Sequence, residues 1–319
     1  MNDLATLENL SLALSSLEAD SIDYIKQSES YNTKRAYDSD WQSFTEWADS
    51  YGLNATPAEP KTVALYITHM ANSGYKVSTI QRALVAISKK HRASDYSSPA
   101  KHEYVRTTMK GIRRKLGTAK EGKEPLMTKH IRSWINTLGD NLLDTRNKAL
   151  ILIGFAGAFR RSELVALDVK DVEFRDQGVI IIIRKSKTDQ EKKGRELAIP
   201  YQSPVTCPVM ALHEWLEAAG IDHGPIFRGI HKGNKLSEKR LSDKTVSRVV
   251  KQVCETAGLD PDKYGAHSLR SGHITQATEN GSSDASTKRQ SGHKSQAVFE
   301  SYIRIANLFK NNSANKLGL

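Results

Sequence analysis

Residues 265–270 read Gly-Ala-His-Ser-Leu-Arg and place His267 three positions before Arg270. Residues three apart on a helix project from the same face, so one ligand could contact both side chains. An arginine favours an anionic ligand. Downstream, Ser-Gly-His at residues 291–293 adds a second histidine, and Tyr302 follows His293 after nine positions, flanked by charged residues. These residues predict a site that binds an anion and that has a tyrosine beside it.

Two basic stretches upstream extend this pattern. Residues 159–164 read Phe-Arg-Arg-Ser-Glu-Leu after an apolar run, and residues 184–188 read Arg-Lys-Ser-Lys-Thr at the end of a predicted strand. The order arginine, lysine, His-x-x-Arg, histidine and tyrosine resembles the tyrosine recombinases of the phage integrase family. In plan the chain is similar to the Cre- and Xer-like members, without the extra arm-binding domain of other members.

The chemistry that this resemblance implies is transfer of a DNA phosphodiester to Tyr302, the nucleophile. Arg160 and Arg270 match the two arginines of the family, which stabilise charge on the non-bridging phosphate oxygens. The family pattern selects Arg160 over its neighbour Arg161 from the positions of Ser162 and Glu163. Glu163 resembles the acidic residue that holds the arginine or histidine in place.

The resemblance also assigns roles in proton transfer. His267 is the expected general base for Tyr302, whose phenol would otherwise stay protonated at neutral pH. His293 is expected to donate a hydrogen bond to the phosphate, and His273 would face a different side of the helix. Lys187 is the expected general acid for the leaving 5′ oxygen. The other lysines of this hairpin remain alternatives: Lys185, Lys192 and Lys193.

The composition fits a nucleic-acid partner. The chain has 319 residues, a formal charge of +11 and a pI near 9.4, which favours a polyanion, although RNA or anionic lipid would satisfy the charge alone. Residues 1–20 contain four acidic residues and no lysine or arginine, so we expect this segment to avoid phosphate.

Two cysteines without metal-ligand spacing suit a reducing compartment and argue against a cysteine-based zinc site. The chain begins without the basic start of a signal peptide, and its longest apolar run, residues 149–159, is too short to span a membrane. We expect a cytoplasmic protein that associates with the nucleoid when bound to DNA. No cluster of carboxylates and no phosphate-binding glycine loop is present in the sequence, so neither a metal nor a cofactor is expected.

The hydrophobic patterns predict a mainly α-helical protein of two domains. Helices fill residues 1–116, with Trp41, Phe44 and Trp47 spaced to bury one helical face. Residues 117–124 contain two glycines and no apolar anchor, which is typical of a linker. Residues 125–319 form the second domain, with three short antiparallel strands near residues 171–174, 179–184 and 195–199 and only helices after Pro208. The resemblance implies that the first is the SAM-like core-binding domain, the second the catalytic domain with its C-terminal tail, and the two together a C-shaped clamp on DNA.

The predicted DNA-contact residues lie on the polar sides of the N-terminal helices. A basic run on a helix is often only a solvated face, but two successive helices that are basic on their exposed sides favour contact with DNA. The predicted set is Thr33, Lys34, Arg35, Gln81, Arg82, Lys89, Lys90, Arg106, Lys110, Arg113 and Arg114.

These inferences predict an enzyme, a site-specific DNA recombinase that works without metal or ATP through a 3′-phosphotyrosyl intermediate. Its expected partners are double-stranded DNA with an inverted-repeat site, three further copies of itself in a tetramer on two sites, and accessory DNA-bending or directionality proteins, with no membrane. The alternative hypotheses are a type IB-like topoisomerase and a non-catalytic DNA-binding regulator of the same fold. Residues 305–319 are either a segment that docks on a neighbouring subunit or a frayed end.

Overall fold

The computed structural model describes residues 14–25, 28–118, 122–184, 194–293, 295–296, 299–300, 302 and 317. The chain divides into two compact units, Met1–Glu121 and Gly122–Leu319. Among the described residues, no helix is both long and apolar enough to cross a membrane.

The first unit is a cluster of helices. Residues 14–25 are helical (α1), and the next helices are α2 (Tyr31–Ser50), α3 (Pro60–Asn72), α4 (Val77–Ala93) and α5 (Glu103–Leu116). Phe44 is fully buried in their core, and Trp41 and Trp47 pack against it with partial exposure. The prediction that these three aromatic residues serve the core is therefore confirmed.

The second unit is built around an apolar helix. Its helices are α6 (Thr128–Ile135), α7 (Leu142–Ala156), α8 (Arg161–Ala166), α9 (Pro208–Ala218), α10 (Asp243–Thr256), α11 (His267–Glu279) and α12 (Asp284–Ser291). Residues 149–153 of α7 are all buried, on every side of the helix. A helix that is apolar all round must lie inside the unit, which explains the apolar run in the sequence.

The predicted three-stranded antiparallel sheet is confirmed. Strands β1 (Val172–Arg175), β2 (Gly178–Ile183) and β3 (Arg195–Pro200) lie in the order β1-β2-β3, with Ile183 opposite Arg195. Residues 185–193, which connect β2 to β3, lie outside the described residues.

The prediction that only helices follow Pro208 is wrong. Strands β4 (Arg228–His231) and β5 (Lys235–Arg240) form a two-stranded antiparallel sheet. Gly233 and Asn234 both have positive φ angles, 78° and 58°, in the turn between them. A Gly-Asn pair between two strands is a hairpin signal, but the charged residues of β5 hide the strand from a hydrophobic pattern.

Helix α11 is fixed by close packing on the chain that leads into α6. The Leu126 N–H donates to the carbonyl oxygen of Ser268 at 3.0 Å. At Gly272, a Cβ atom would stand 2.0 Å from the carbonyl oxygen of Leu126. A glycine is therefore needed where helix and chain meet, and this contact sets the position of His267 and Arg270.

We expect Gly272→Ala to destabilise the protein by about 1–3 kcal/mol, because the added methyl group collides with backbone that cannot yield. Gly111→Ala is the matched control in helix α5, where a Cβ atom would meet nothing within 4 Å, and we expect it to stabilise by about 0.5–1 kcal/mol. Calorimetric melting of both variants checks the two signs. A Gly272→Ala protein that melts like the unsubstituted chain would contradict the packing argument.

Candidate active site

Arg160 stands where α8 begins and is held by an acidic residue of the same helix. It is the N-cap of α8. The Glu163 carboxylate accepts the Arg160 backbone N–H at 3.0 Å and its Nη1 at 2.6 Å. Glu163 is 2% exposed, so its charge is directed to the arginine and not to solvent.

The rival residue Arg161 turns away. Its Nε lies 3.0 Å from the carboxylate of Asp243, at the start of α10, and its side chain is half exposed. Of the two neighbouring arginines, Arg160 is therefore the one that lies among the predicted site residues.

Arg270 occupies the centre of the site. The residue is 1% exposed, and its Nη1 donates to the carbonyl oxygen of Ala158 at 2.8 Å. Its Nη2 lies 3.2 and 3.3 Å from the two ring nitrogens of His293. Burial, followed by the charge of Arg160, lowers the pKa of Arg270 to about 10, which still leaves the guanidinium charged at neutral pH.

His293 follows directly from the end of α12. Gly292 has φ 65°, the left-handed conformation that commonly ends a helix at glycine. The chain then turns so that His293 Nδ1 lies 2.8 Å from the hydroxyl of Ser291. Burial and the charges of Arg270 and Arg160 lower the pKa of His293 to about 3, so its ring is neutral at neutral pH.

Tyr302 completes the group. Its hydroxyl lies 2.6 Å from Nε2 of His267, and its ring centroid lies 5.4 Å from that of His293. The structure thus brings together Arg160, His267, Arg270, His293 and Tyr302, with Glu163 behind Arg160.

The charges around Tyr302 decide where its proton lies. Desolvation raises the pKa of Tyr302 despite the opposing effect of Arg270 and Arg160. Desolvation and the charges of Arg270 and Arg160 lower the pKa of His267, although the residue remains exposed at the surface. The phenol therefore keeps its proton beside a neutral His267, and its O–H can donate to Nε2 when the ring proton is on Nδ1.

His273 makes different contacts. Its ring packs on Phe155 of α7 with centroids 6.1 Å apart, and burial lowers its pKa to about 4. This position agrees with the prediction that His273 faces another side of α11.

The structure adds Arg195, a residue that the sequence reasoning missed. Its side chain is partly buried at the start of β3, where its pKa is lowered by burial and influenced by Glu163 and Arg160. An arginine that opens a short strand carries no distinctive sequence signal. Lys187 and its alternatives Lys185, Lys192 and Lys193 lie outside the described residues, as does the C-terminal segment except Leu317.

The predicted DNA-contact residues are all on helices of the first unit, but several have partners there. Arg82 makes a two-pronged ion pair with Asp40, at 2.6 and 2.9 Å. The other pairs are Lys89 with Glu29, Lys90 with Asp38, Arg106 with Glu103, Arg113 with Gln81, and Thr33 with Ser30. Arg35, Lys110 and Arg114 are exposed, and Lys34 is partly exposed.

No group of three or more potential metal ligands occurs within the part of the chain that the structure describes. The arrangement brings together a protonated tyrosine, a neutral histidine beside it, the buried guanidinium group of Arg270 and the partly buried one of Arg160. This set can bind a singly charged anion beside the tyrosine oxygen.

Family models match both units. The phage integrase family model matches residues 124–308, and the model of the phage integrase N-terminal SAM-like domain matches residues 22–94. An integrase/recombinase XerD homologue of Selenomonas ruminantium is 40% identical over 298 residues, which cover 92% of this chain and 87% of that protein. The tyrosine recombinase XerC of Rickettsia bellii is 23% identical over 291 residues, 88% of this chain and 89% of that protein.

Solved structures share the fold. The integrase of the Tn1549 transposon, in complex with transposon right-end DNA, superimposes with a TM-score of 0.62 at 16% identity and covers 90% of this chain and 93% of that chain. The XerH site-specific recombinase, bound to a palindromic difH substrate after cleavage, gives a TM-score of 0.59 at 18% identity over 78% of this chain and 70% of that chain. With family models matching both units, and the arginines, histidines and tyrosine of the resemblance gathered in one place, the chain belongs to the phage integrase family, the tyrosine recombinases.

Proposed function

We propose that this protein is a site-specific DNA recombinase that cleaves and rejoins strands through a 3′-phosphotyrosyl intermediate. The observation that carries the proposal is the contact of 2.6 Å between the Tyr302 hydroxyl and His267 Nε2, beside the guanidinium groups of Arg160 and Arg270. Nucleophile, base and anion-binding groups thus lie within reach of one phosphate.

In the proposed cleavage step, the Tyr302 oxygen attacks the phosphorus and the phenolic proton passes to Nε2 of His267. The bond from phosphorus to the 5′ oxygen breaks, and the leaving oxygen takes a proton from Lys187. The number of phosphoester bonds does not change, so the reverse attack by a 5′ hydroxyl rejoins the strand without ATP.

The arginines stabilise the charge that grows on the non-bridging oxygens as the pentavalent transition state forms. Each guanidinium can donate two N–H groups to a phosphate at any working pH. Glu163 holds Arg160 in the orientation required, through its bonds to both the backbone and the side chain. A neutral His293 has one N–H to donate to a phosphate oxygen.

The proposal extends to the assembly. The fold neighbours include recombinases solved on DNA substrates, and this supports duplex DNA with an inverted-repeat site as the substrate here. We propose a homotetramer on two sites, in which each copy contacts DNA through a domain of residues 1–116 and a domain of residues 125–319, joined by a linker at 117–124. Accessory DNA-bending or directionality proteins and a cytoplasmic, nucleoid-associated location belong to the same proposal.

A covalent trap tests the nucleophile. Purified protein is incubated with a nicked random duplex library, denatured in detergent, and the DNA that remains attached is sequenced. We expect one inverted-repeat sequence to be recovered and Tyr302→Phe to recover none, because the phenylalanine ring has no oxygen to attack with. Tyr201→Phe, at an exposed tyrosine of the same unit, is the matched control and should trap normally.

Other outcomes of the trap separate the alternatives. Recovery of DNA without sequence preference would replace the recombinase with a topoisomerase. DNA retardation under native conditions with no covalent product from the unsubstituted protein would favour a binding regulator.

The pH dependence of cleavage reports the state of His267. Because the base must be neutral and its pKa in the free protein is lowered, we expect the second-order rate of covalent-complex formation to fall only below the ordinary histidine value of about 6.5. The rate is measured with DNA limiting, from pH 4.5 to 8.5. His267→Gln should be slow and lack this acidic limb. An acidic limb centred above 7 in the unsubstituted protein would argue against the proton transfer proposed here.

The exposed basic residues of α5 are expected to bind DNA phosphates. Lys110→Gln and Arg114→Gln should each weaken binding and reduce the slope of log affinity against log salt by about 1. Lys61→Gln, an exposed lysine of α3, should leave that slope unchanged. Arg82→Gln should instead lower stability by about 1–3 kcal/mol, because Asp40 loses a charge-assisted partner. Equal salt slopes for all four variants and the unsubstituted protein would refute this surface.

A further inference from the structure

Arg195 is the first residue of β3 and reaches across to the end of α12. Its Nη1 donates to the carbonyl oxygen of Gln290 at 3.0 Å and to that of Arg289 at 3.4 Å. The last carbonyl groups of a helix have no partner within the helix, and a cation there also interacts favourably with the helix dipole. Arg195 therefore acts as a cap for α12 that is supplied by the sheet.

Gln290 makes a second connection at the same helix end. Its Nε2 donates to the carbonyl oxygens of Ala156, at the end of α7, and Ala198, in β3, at 3.1 and 3.2 Å. Gln290 thus ties the last turn of α12 to helix α7 and strand β3, both of which lie far from α12 in the sequence. Of these contacts, only those of Arg195 bring a charge.

The chain passes from this clamped turn straight into His293. Gly292 packs so closely on Arg195 that a Cβ atom there would stand 2.8 Å from Nε and 2.9 Å from Cζ. His293 is the next residue and contacts Arg270 Nη2 at 3.2 Å. Only Ser291 and Gly292 therefore separate the backbone carbonyl group of Gln290, which Arg195 binds, from His293 in the site.

The surroundings of Arg195 make its charged form less favourable than in water. Burial lowers the pKa of Arg195, the negative charge of Glu163 raises it, and the positive charge of Arg160 lowers it. Its Nη2 is buried and finds no hydrogen-bond partner among the described residues. A third cation near Arg160 and Arg270 adds repulsion between like charges, so stability alone does not explain Arg195.

We infer that Arg195 is a positioning residue for strand cleavage, which sets the place of His293 by fastening the end of α12 to β3. The inference rests on the proposed function, since it concerns the rate of the same reaction. Arg195 would act only through His293, and its removal would slow the chemical step without weakening DNA binding.

The test compares Arg195→Met, which keeps an unbranched apolar stem but removes the donors, with the unsubstituted protein in single-turnover cleavage at saturating DNA. We expect a loss of about 10- to 100-fold, as when a group that contacts the reacting atoms is displaced by about 1 Å, with unchanged DNA affinity. Arg195→Lys retains one cationic donor and should give an intermediate rate. Arg175→Met, an exposed arginine of β1, is the matched control and should cleave normally.

A double-substitution cycle separates action through His293 from direct contact with DNA. If Arg195 acts through His293, the protein with both Arg195→Met and His293→Ala is no slower than His293→Ala alone. Additive losses would mean that Arg195 contacts the phosphate itself, through Nη2, and would overturn the inference. Normal cleavage by Arg195→Met, or a loss confined to DNA affinity, would overturn it as well.

A readout without DNA separates this inference from the proposed function. In protein labelled at the histidine rings, the NMR signal of His293, assigned with His293→Ala, should shift in Arg195→Met and stay in place in Arg175→Met. An unshifted signal would refute the positioning role. Failure of the unsubstituted protein to form a covalent complex, with the signal shifted as expected, would count against the proposed function alone.

Discussion

The buried guanidinium of Arg270 is the constraint around which the second unit is built. Taking a charge out of water costs several kcal/mol unless hydrogen bonds and an opposite charge compensate it. Arg270 is bonded to the carbonyl oxygen of Ala158 and lies against His293, and the buried carboxylate of Glu163 is the acidic group whose field acts on it. Arg160 and Arg195 add positive charge to the same field, so the balance of the site stays positive. An anion bound between these groups would supply negative charge that balances the excess positive charge of the site.

The need to place these groups explains why so many elements end at the same point. Helix α7 gives way to the turn at Ala158, where φ is 49°, and Arg160 is the N-cap of α8. Helix α11 begins at His267, and Gly292 is the C-cap of α12. Helix termini and turns expose backbone groups that can bind side chains, whereas the middle of a helix offers none. The glycines at 272 and 292 allow the close approaches that these meetings require, against backbone in one case and against Arg195 in the other.

The sequence revealed the residues whose meaning depends on local spacing. His267 and Arg270 share a helical face, Arg160 and Glu163 lie three apart across a helix start, and the apolar run of α7 is buried as its composition required. What the sequence could not reveal depends on pairing between distant segments. The ion pair of Arg82 could not be foreseen because its partner Asp40 stands 42 residues away, and the contacts of Arg195 could not be foreseen because its acceptors lie 94 and 95 residues later. The hairpin of β4 and β5 was missed because its strands carry charged residues and lie mostly at the surface, so they lack an alternating hydrophobic pattern.

The proton on Tyr302 shows why the proposed transfer to its oxygen needs a base as well as cations. Two arginines lower the pKa of the phenol, yet desolvation prevails and raises it. Charge alone therefore does not ionise the tyrosine, and the oxygen gains nucleophilic character only as its proton moves to His267. The same desolvation and the same arginines keep His267 neutral and able to accept that proton. The two pKa values are thus pushed apart by one environment, so in the proposed reaction the tyrosine keeps its proton until bond formation to phosphorus drives the transfer.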